Sequence, residues 1–161
     1  MNFQLNNRKL IYENEKFYIL TIKPNLGYKE GEYRELKIRK KSNGYNSITI
    51  NHKEYMIHRI LAYLFLGLDI ENSTQFIDHI NGIRDDNRLE NLRIVTHQQN
   101  CFNILNTKGY TKIGNKYQAR IMTNRKTIYL GYYDTEEEAK QTYLDAKKKY
   151  HIIPPFNKLK L

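Results

Sequence analysis

Cysteine is nearly absent from this chain. Cys101 is the one thiol in 161 residues, which excludes an intrachain disulfide and any cysteine-rich zinc site. Long apolar runs are missing too: the longest, around Ile60 to Leu68, falls well short of the ~20 residues of a membrane helix, so no membrane partner is expected. The amino terminus, MNFQLNNRKL, lacks the apolar core of a signal peptide, and a cytoplasmic, intracellular protein is expected. No internal repeat or low-complexity tract is present. Acidic residues are scarce, with 17 Asp and Glu against 27 Lys and Arg, for a net charge of +10. What is present is ordinary for a folded chain: 40% hydrophobic and 27% charged residues disfavour disorder. The length fits one globular unit or two small modules.

A basic balance favours polyanions, nucleic acid first, although a merely solvated basic protein has the same composition. The distribution is uneven. Asn106 to Leu161 holds 12 basic and 5 acidic residues, a net +7, and the rest of the chain carries +3. The cationic carboxyl-terminal third suggests two modules with different tasks, divided as 1–106 and 107–161.

The first module opens with short strands and turns. Phe17 to Ile22 is aromatic and β-branched, and Pro24-Asn25-Leu26-Gly27 ends it. Glu35 to Lys40 alternates, with Leu36 and Ile38 expected on one face. Ser42-Asn43-Gly44 is a turn before a second alternating run, Tyr45 to Ile50. A small antiparallel sheet is predicted, followed by a helix over His58 to Leu68 in which Leu61, Leu64, Phe65 and Leu68 share a face. From Phe76 to Thr96 there are only short apolar pieces between polar loops. Thr96 is placed to cap a helix running through His97, Asn100 and Leu105.

Beyond Asn106-Thr107-Lys108-Gly109 the pattern becomes three short strands and a helix. Gly114-Asn115 turns between Thr111–Ile113 and Lys116–Met122, and Thr123 to Lys126 turns into Thr127–Tyr132. Thr135 with Glu138 forms a capping box, and Ala139, Tyr143, Ala146 and Tyr150 make an apolar stripe. Pro154-Pro155 closes the pattern. The predicted fold class is α+β throughout.

The chemistry concentrates in FIDHINGIRDDNRLENLRIVTHQQN, Phe76 to Asn100. A carboxylate and amide oxygens are hard ligands suited to Mg²⁺ or Mn²⁺, and a neutral imidazole beside them is an apt general base near pH 7. The same residues also suit a turn-rich loop whose Asp and Asn side chains satisfy their own backbone. Arg84, Arg88 and Arg93 are candidate phosphate holders, or solvated and internally paired guanidinium groups. Asn103 is placed either to buttress the site or to face water. Cys101 reads as a small core filler.

This stretch, with the upstream IHRILAYLFLGL, resembles the HNH nuclease motif in the form carried by homing endonucleases of phages and large DNA viruses, over residues 36–105. The resemblance implies a ββα-metal motif at about 76–105. It makes His79 the general base that activates water, and Asn91 the residue that ties the loop together and orients the histidine. Asp78 and Asn100 become the ligands of one Mg²⁺ or Mn²⁺ ion. The third position of the motif is Asn100 here, which argues against a zinc-like two-histidine site. The implied reaction is hydrolysis of double-stranded DNA to a 5′ phosphate and a 3′ hydroxyl. One site per chain and no evident dimer seam lead to a monomer that nicks one strand, with a dimer as the alternative. A phage- or virus-infected host cell is the expected setting. The rival readings are an inactive DNA-binding regulator and a restriction or defence nuclease.

Lys108 to His151 resembles the APETALA2-type DNA-binding domain in YQARI, IYLGYYDT and EEEAKQTYLDA. That likeness implies a three-stranded sheet in the major groove with a helix behind it. Alternation independently leaves Gln118, Arg120, Thr127 and Tyr129 on the open face, with Lys112, Lys116 and Tyr117 near it or at its edge. Those seven are the candidate DNA contacts of the second module. The first hairpin is shorter than in the plant domains, and their strand tryptophans appear here as Tyr117 and Tyr129.

Overall fold

Asparagine opens four of the two-residue turns among the described residues. Four hairpins turn on two residues that both lie in the left-handed region: Asn6-Asn7 (φ 51° and 57°), Asn14-Glu15 (49° and 61°), Asn51-His52 (46° and 63°) and Asn124-Arg125 (49° and 59°). Such turns match the twist of the strands they join, and asparagine tolerates the backbone they need. A computed structural model describes residues 1–24, 26–71, 74–104 and 107–153 of the chain. Asn25 in the expected first turn, Leu105 in the helix expected from Thr96, Asn106 at the expected joint, and Pro154-Pro155 lie outside the described residues.

The chain divides into two compact units, Met1–Leu61 and Ala62–Leu161. In the first, β1 (Asn2–Leu5), β2 (Arg8–Glu13), β3 (Lys16–Leu20) and β4 (Tyr33–Glu35) form an antiparallel sheet in sequence order. A second sheet joins β5 (Arg39–Lys40), β6 (Asn46–Ile50) and β7 (Lys53–Met56). Leu36 is buried while Ile38 is exposed, so these two do not share a face. The strand breaks after Glu35, and its two pieces join different sheets. Arg8 ties the unit together by donating to the Leu20 carbonyl and to Asn51 Oδ1, at 2.6 and 2.8 Å. Phe17, Leu10, Ile19, Ile48, Ile50 and Ile60 fill its core.

The helix expected over His58 to Leu68 is shorter and changes type. The α-helix α1 (Ile57–Leu61) runs directly into a π-helical turn, Ala62–Leu66, and Gly67 at φ 81° ends it. Widening to π spacing carries Leu66 rather than Leu64 or Phe65 to the buried side.

The second unit continues with β8 (Phe76–His79), a 3₁₀ turn (Leu89–Asn91), β9 (Leu92–Val95) and α2 (His97–Phe102). Thr96 caps α2 as expected, with Gln99 completing a capping box. Next comes the sheet of β10 (Tyr110–Ile113), β11 (Lys116–Thr123) and β12 (Lys126–Tyr133), followed by α3 (Glu136–Tyr150). Thr135 and Glu138 form the expected capping box, and Ala139, Tyr143 and Ala146 are buried with Ile121 against Ile128 and Leu130. Gly109, at φ 75°, lies under the Tyr143 ring, where an added Cβ would meet ring carbon at 1.9 Å. Only glycine fits between that joint and the helix. The division expected between 106 and 107 falls inside this second unit.

Candidate active site

The antiparallel pair β8–β9 sets Asp78 opposite Arg93 and His79 opposite Leu92. Asp78 and His79 are each about 5% exposed, so two adjacent polar side chains are buried at the end of one short strand. A buried carboxylate needs a counter-charge. Arg93 supplies it, with Nε and Nη2 at 2.8 and 2.6 Å from Asp78 Oδ2. The other oxygen, Oδ1, accepts from Asn103 Nδ2 at 3.0 Å. That amide also reaches the carbonyls of His79 and Ile80, at 2.9 and 3.3 Å. Asn103 stands just past α2, so it fastens the helix end to the strand end. Of the two roles open to it, the buttress is the one it fills.

The loop between the strands is tied by its own amides. Asn91 Oδ1 accepts from the Asn81 backbone at 3.0 Å, and Asn91 Nδ2 donates to the Asp86 carbonyl at 2.8 Å. Asn81 Nδ2 donates to Asp86 Oδ2 at 2.7 Å. Arg88 grips Asp86 with two bonds of 2.8 and 2.7 Å, and the guanidinium holds that carboxyl far below the usual carboxylate range. The self-satisfied turn and the positioned histidine are therefore the same loop.

Burial pushes the His79 imidazole below its ordinary pKa, only partly offset by Asn87 and the charges of Asp78 and Asp86; Arg84 pushes it down further. Its Nε2 makes a long contact of 3.4 Å with Asn87 Oδ1. Asn87 Nδ2 is engaged by the Asp85 carbonyl at 3.2 Å, which turns Oδ1 toward the ring. Asn91 thus ties the loop, while the amide found against the imidazole ring is that of Asn87. The Asp-Asp-Asn run before Arg88 holds this residue, and its only mark in the sequence is a turn composition shared with many loops.

Asn100 is half-buried on α2, which packs against β8, and no hydrogen bond to a described residue engages its side-chain amide. Arg84 is exposed on the loop. Arg88 and Arg93, both expected to meet phosphate, are paired internally with Asp86 and Asp78. Cys101 is exposed rather than a core filler, with its sulfur 4.0 Å from His97 Nδ1. His97 itself is exposed beside Phe76, and His58 is buried against the Tyr45 ring.

In the carboxyl-terminal sheet, Gln118, Arg120 and Met122 alternate with buried Ala119 and Ile121. Their register partners Tyr132, Tyr129 and Thr127 share the open face. Tyr129 is 66% and Met122 64% exposed, so the face is more aromatic and apolar than expected. Gln118 Nε2 donates to Tyr132 Oη at 2.6 Å. Lys116 pairs with Asp134 at 3.0 Å. Lys112 and Tyr117 are register partners on the side away from Gln118, the ammonium 5.6 Å above the ring. Arg120 makes no ion pair with a described acidic residue.

Two comparisons bear on this site. Residues 55–101 match the family model described as HNH endonuclease, a span that holds Asp78, His79, Asn91 and Asn100 and stops before Asn103. An uncharacterized HNH endonuclease of Acanthamoeba polyphaga mimivirus is 36% identical over 91 residues, which are 54% of this chain and 48% of that protein. The chain thus spans about half the length of this relative. No solved structure matches it. Both matches support a nuclease, and the family match rests on the segment that carries the buried histidine.

Proposed function

We propose that this chain, similar to HNH endonucleases over residues 55–101, is a divalent-metal-dependent DNA endonuclease of the homing type that nicks one strand of the duplex. The observation that carries the reading is His79: a buried imidazole with a lowered pKa, beside a carboxylate, at the end of a strand. A base must be neutral to accept a proton, and this one is neutral at pH 7. Asn87 Oδ1 faces Nε2 of the ring at 3.4 Å. His79 removes a proton from a water in line with the scissile phosphorus, that water's oxygen bonds to phosphorus as the P–O3′ bond breaks, and O3′ takes a proton from solvent, which leaves a 5′ phosphate and a 3′ hydroxyl.

The donor set fits a hard cation. Asp78 Oδ1 is met by one amide only and keeps a lone pair, and the Asn100 oxygen is unengaged by described residues. Asp78 and Asn100 would hold one Mg²⁺ or Mn²⁺ ion of a ββα-metal motif, with water and phosphate oxygens completing its shell. When bound, such an ion stabilises charge on the phosphate and the departing oxygen. Asn91 and Asn103 keep the loop and helix in place around that centre.

Target choice belongs, in this reading, to 107–161 as an APETALA2-like module. Gln118, Arg120, Thr127 and Tyr129 on the open face support base and phosphate contact, with Lys116 beside them, whereas Lys112 and Tyr117 lie on the opposite face. Arg84, exposed on the loop, is the candidate cation for the backbone. Plasmid nicking tests the reading. Supercoiled DNA should pass through an open circle in Mg²⁺ or Mn²⁺ and stay intact in EDTA, whereas cleavage undiminished in EDTA would refute it.

A further inference from the structure

Protein sites for hard divalent cations draw their affinity largely from the number of ligand charges. In this chain those charges are already spent. Asp78 is the single carboxylate of the proposed pair, and Arg93 cancels it with two bonds to Oδ2, both side chains being largely buried. The other carboxylate acting on His79 is Asp86, held by Nε and Nη2 of Arg88 and by Asn81. Asn87, Asn91, Asn100 and Asn103 are neutral amides, and Arg84 adds positive charge close enough to act on the imidazole. Among the described residues no group of three or more His, Cys, Asp or Glu side chains is arranged to hold a metal.

Asp78, Asp85 and Asp86 stand against Arg84, Arg88 and Arg93, and Glu90 pairs with Arg88 at the surface, so the local balance is close to neutral. A divalent cation entering here gives up hydration and gains one carboxylate oxygen whose charge an arginine has already met. A phosphodiester brings the missing negative charge and further hard oxygens. From this neutral site we infer that cation binding waits for DNA: the free protein holds Mg²⁺ or Mn²⁺ weakly, and the DNA-bound protein holds it tightly. The inference rests on the nuclease reading above and adds to it an order of assembly. Arg93 is the residue that imposes this order. It positions Asp78 and suppresses cation capture until phosphate arrives, so the free enzyme is not armed in solution.

Linkage makes the idea measurable from either side, because DNA must tighten Mn²⁺ binding by the factor with which Mn²⁺ tightens DNA binding. DNA affinity is read by fluorescence anisotropy on a labelled duplex, with and without Mn²⁺, for the wild-type chain and for Asp78→Asn. The difference between the two proteins cancels the direct effect of Mn²⁺ on DNA. A gain of about tenfold or more is expected in the wild type alone, within the usual range of coupling between sites. Paramagnetic resonance of Mn²⁺ with the DNA-free chain should show weak binding in the wild type. Tighter binding is expected in Arg93→Met, and wild-type behaviour in Arg93→Lys, which keeps the charge.

Tight Mn²⁺ binding by the free wild-type chain, with DNA affinity indifferent to Mn²⁺, overturns the inference. Should Arg93→Met fail to fold by circular dichroism, the wild type and Asp78→Asn still decide. A chain that binds and nicks DNA yet lacks the linkage defeats the ordered assembly alone. A chain that neither binds nor nicks DNA defeats the nuclease reading and this inference with it.

Discussion

Residues 76–103 and the open face of β10–β12 are built on opposite plans. In the first, the carboxylates and the loop amide are held by other parts of the chain: Asp78 by Arg93 and Asn103, Asp86 by Arg88 and Asn81, and the Asn91 amide by the loop backbone. In the second, Tyr129, Met122 and Arg120 project into solvent with few internal partners. Preorganisation suits a centre that must place a reacting group to within a fraction of an ångström. An open face with aromatic and amide groups suits a surface whose bonds are made to something else. The contrast assigns chemistry to one region and contact to the other, and substitutions on each side can break or sharpen it.

The largest effect falls on the buried side. His79→Ala should lower the nicking rate by ~10²–10⁴-fold, the usual size for removing a general base, while DNA affinity persists. Measuring single-turnover nicking and anisotropy on the same preparation separates the two, and equal losses in both would erase the division of labour. Next in size is Arg93→Met. Removing one partner of a buried ion pair costs about 3–5 kcal/mol, so urea unfolding should show a large shift in midpoint. Asn103→Ala follows, at about 1–3 kcal/mol, because it strips a donor from a buried carboxylate and from two carbonyls. Gln118→Ala on the open face should stay within ~0.5 kcal/mol of wild type. Comparable losses at Asn103 and Gln118 would mean that the sheet face is as internally braced as the site.

The sequence made much of this legible where a rule of local chemistry applies. The capping boxes at Thr96 and Thr135 and the Ala139–Tyr143–Ala146 stripe depend on neighbours within two turns of one helix, and each is found. Alternation along β11 likewise sorts Ala119 and Ile121 from Gln118 and Arg120. The errors lie where a partner distant in sequence decides. Leu36 and Ile38 separate because each half of the run pairs with a different strand. Arg93 looks like a phosphate holder until the register sets it opposite Asp78, 15 residues away. Asn87 was hidden because its value lies in one contact to a ring eight positions earlier. Asn and Asp in a loop carry no mark that separates a brace from a solvated turn.

Acidity gives a smaller test of the same contrast. Burial holds His79 below the ordinary value of about 6.5. The acid limb of the nicking profile should therefore lie below the ordinary imidazole value, with the rate falling as pH drops through the depressed one. Stability moves in the same direction. Below about 6.5 the unfolded chain binds this proton more readily than the folded one, so the contribution is complete above that value and is lost as pH falls through the depressed folded one. The proposed contacts of the open face, Gln118, Arg120, Thr127 and Tyr129, include no histidine or carboxylate. A pH profile of nicking that simply tracks DNA affinity would argue against His79 as the base.

The finest comparison sets one arginine against another. Arg120 lies on the open face without an acidic partner among the described residues, whereas Arg88 grips Asp86 with Nε and Nη2 and faces Glu90 with Nη1. Each neutralised phosphate contributes about 0.9 to the fall of log K with log salt on duplex DNA. Arg120→Ala should therefore lower that slope by roughly 0.9. It should also relax preference at a particular base pair by ~1–3 kcal/mol if the guanidinium reads a base edge. Arg88→Ala should leave the slope nearly unchanged, because its charge is already committed, and its cost should appear in the loop as lost stability. The measurement is anisotropy over a series of salt concentrations with the two variants side by side. A slope that falls for Arg88→Ala and holds for Arg120→Ala would reverse the assignment and make the loop, rather than the sheet, the main grip on DNA.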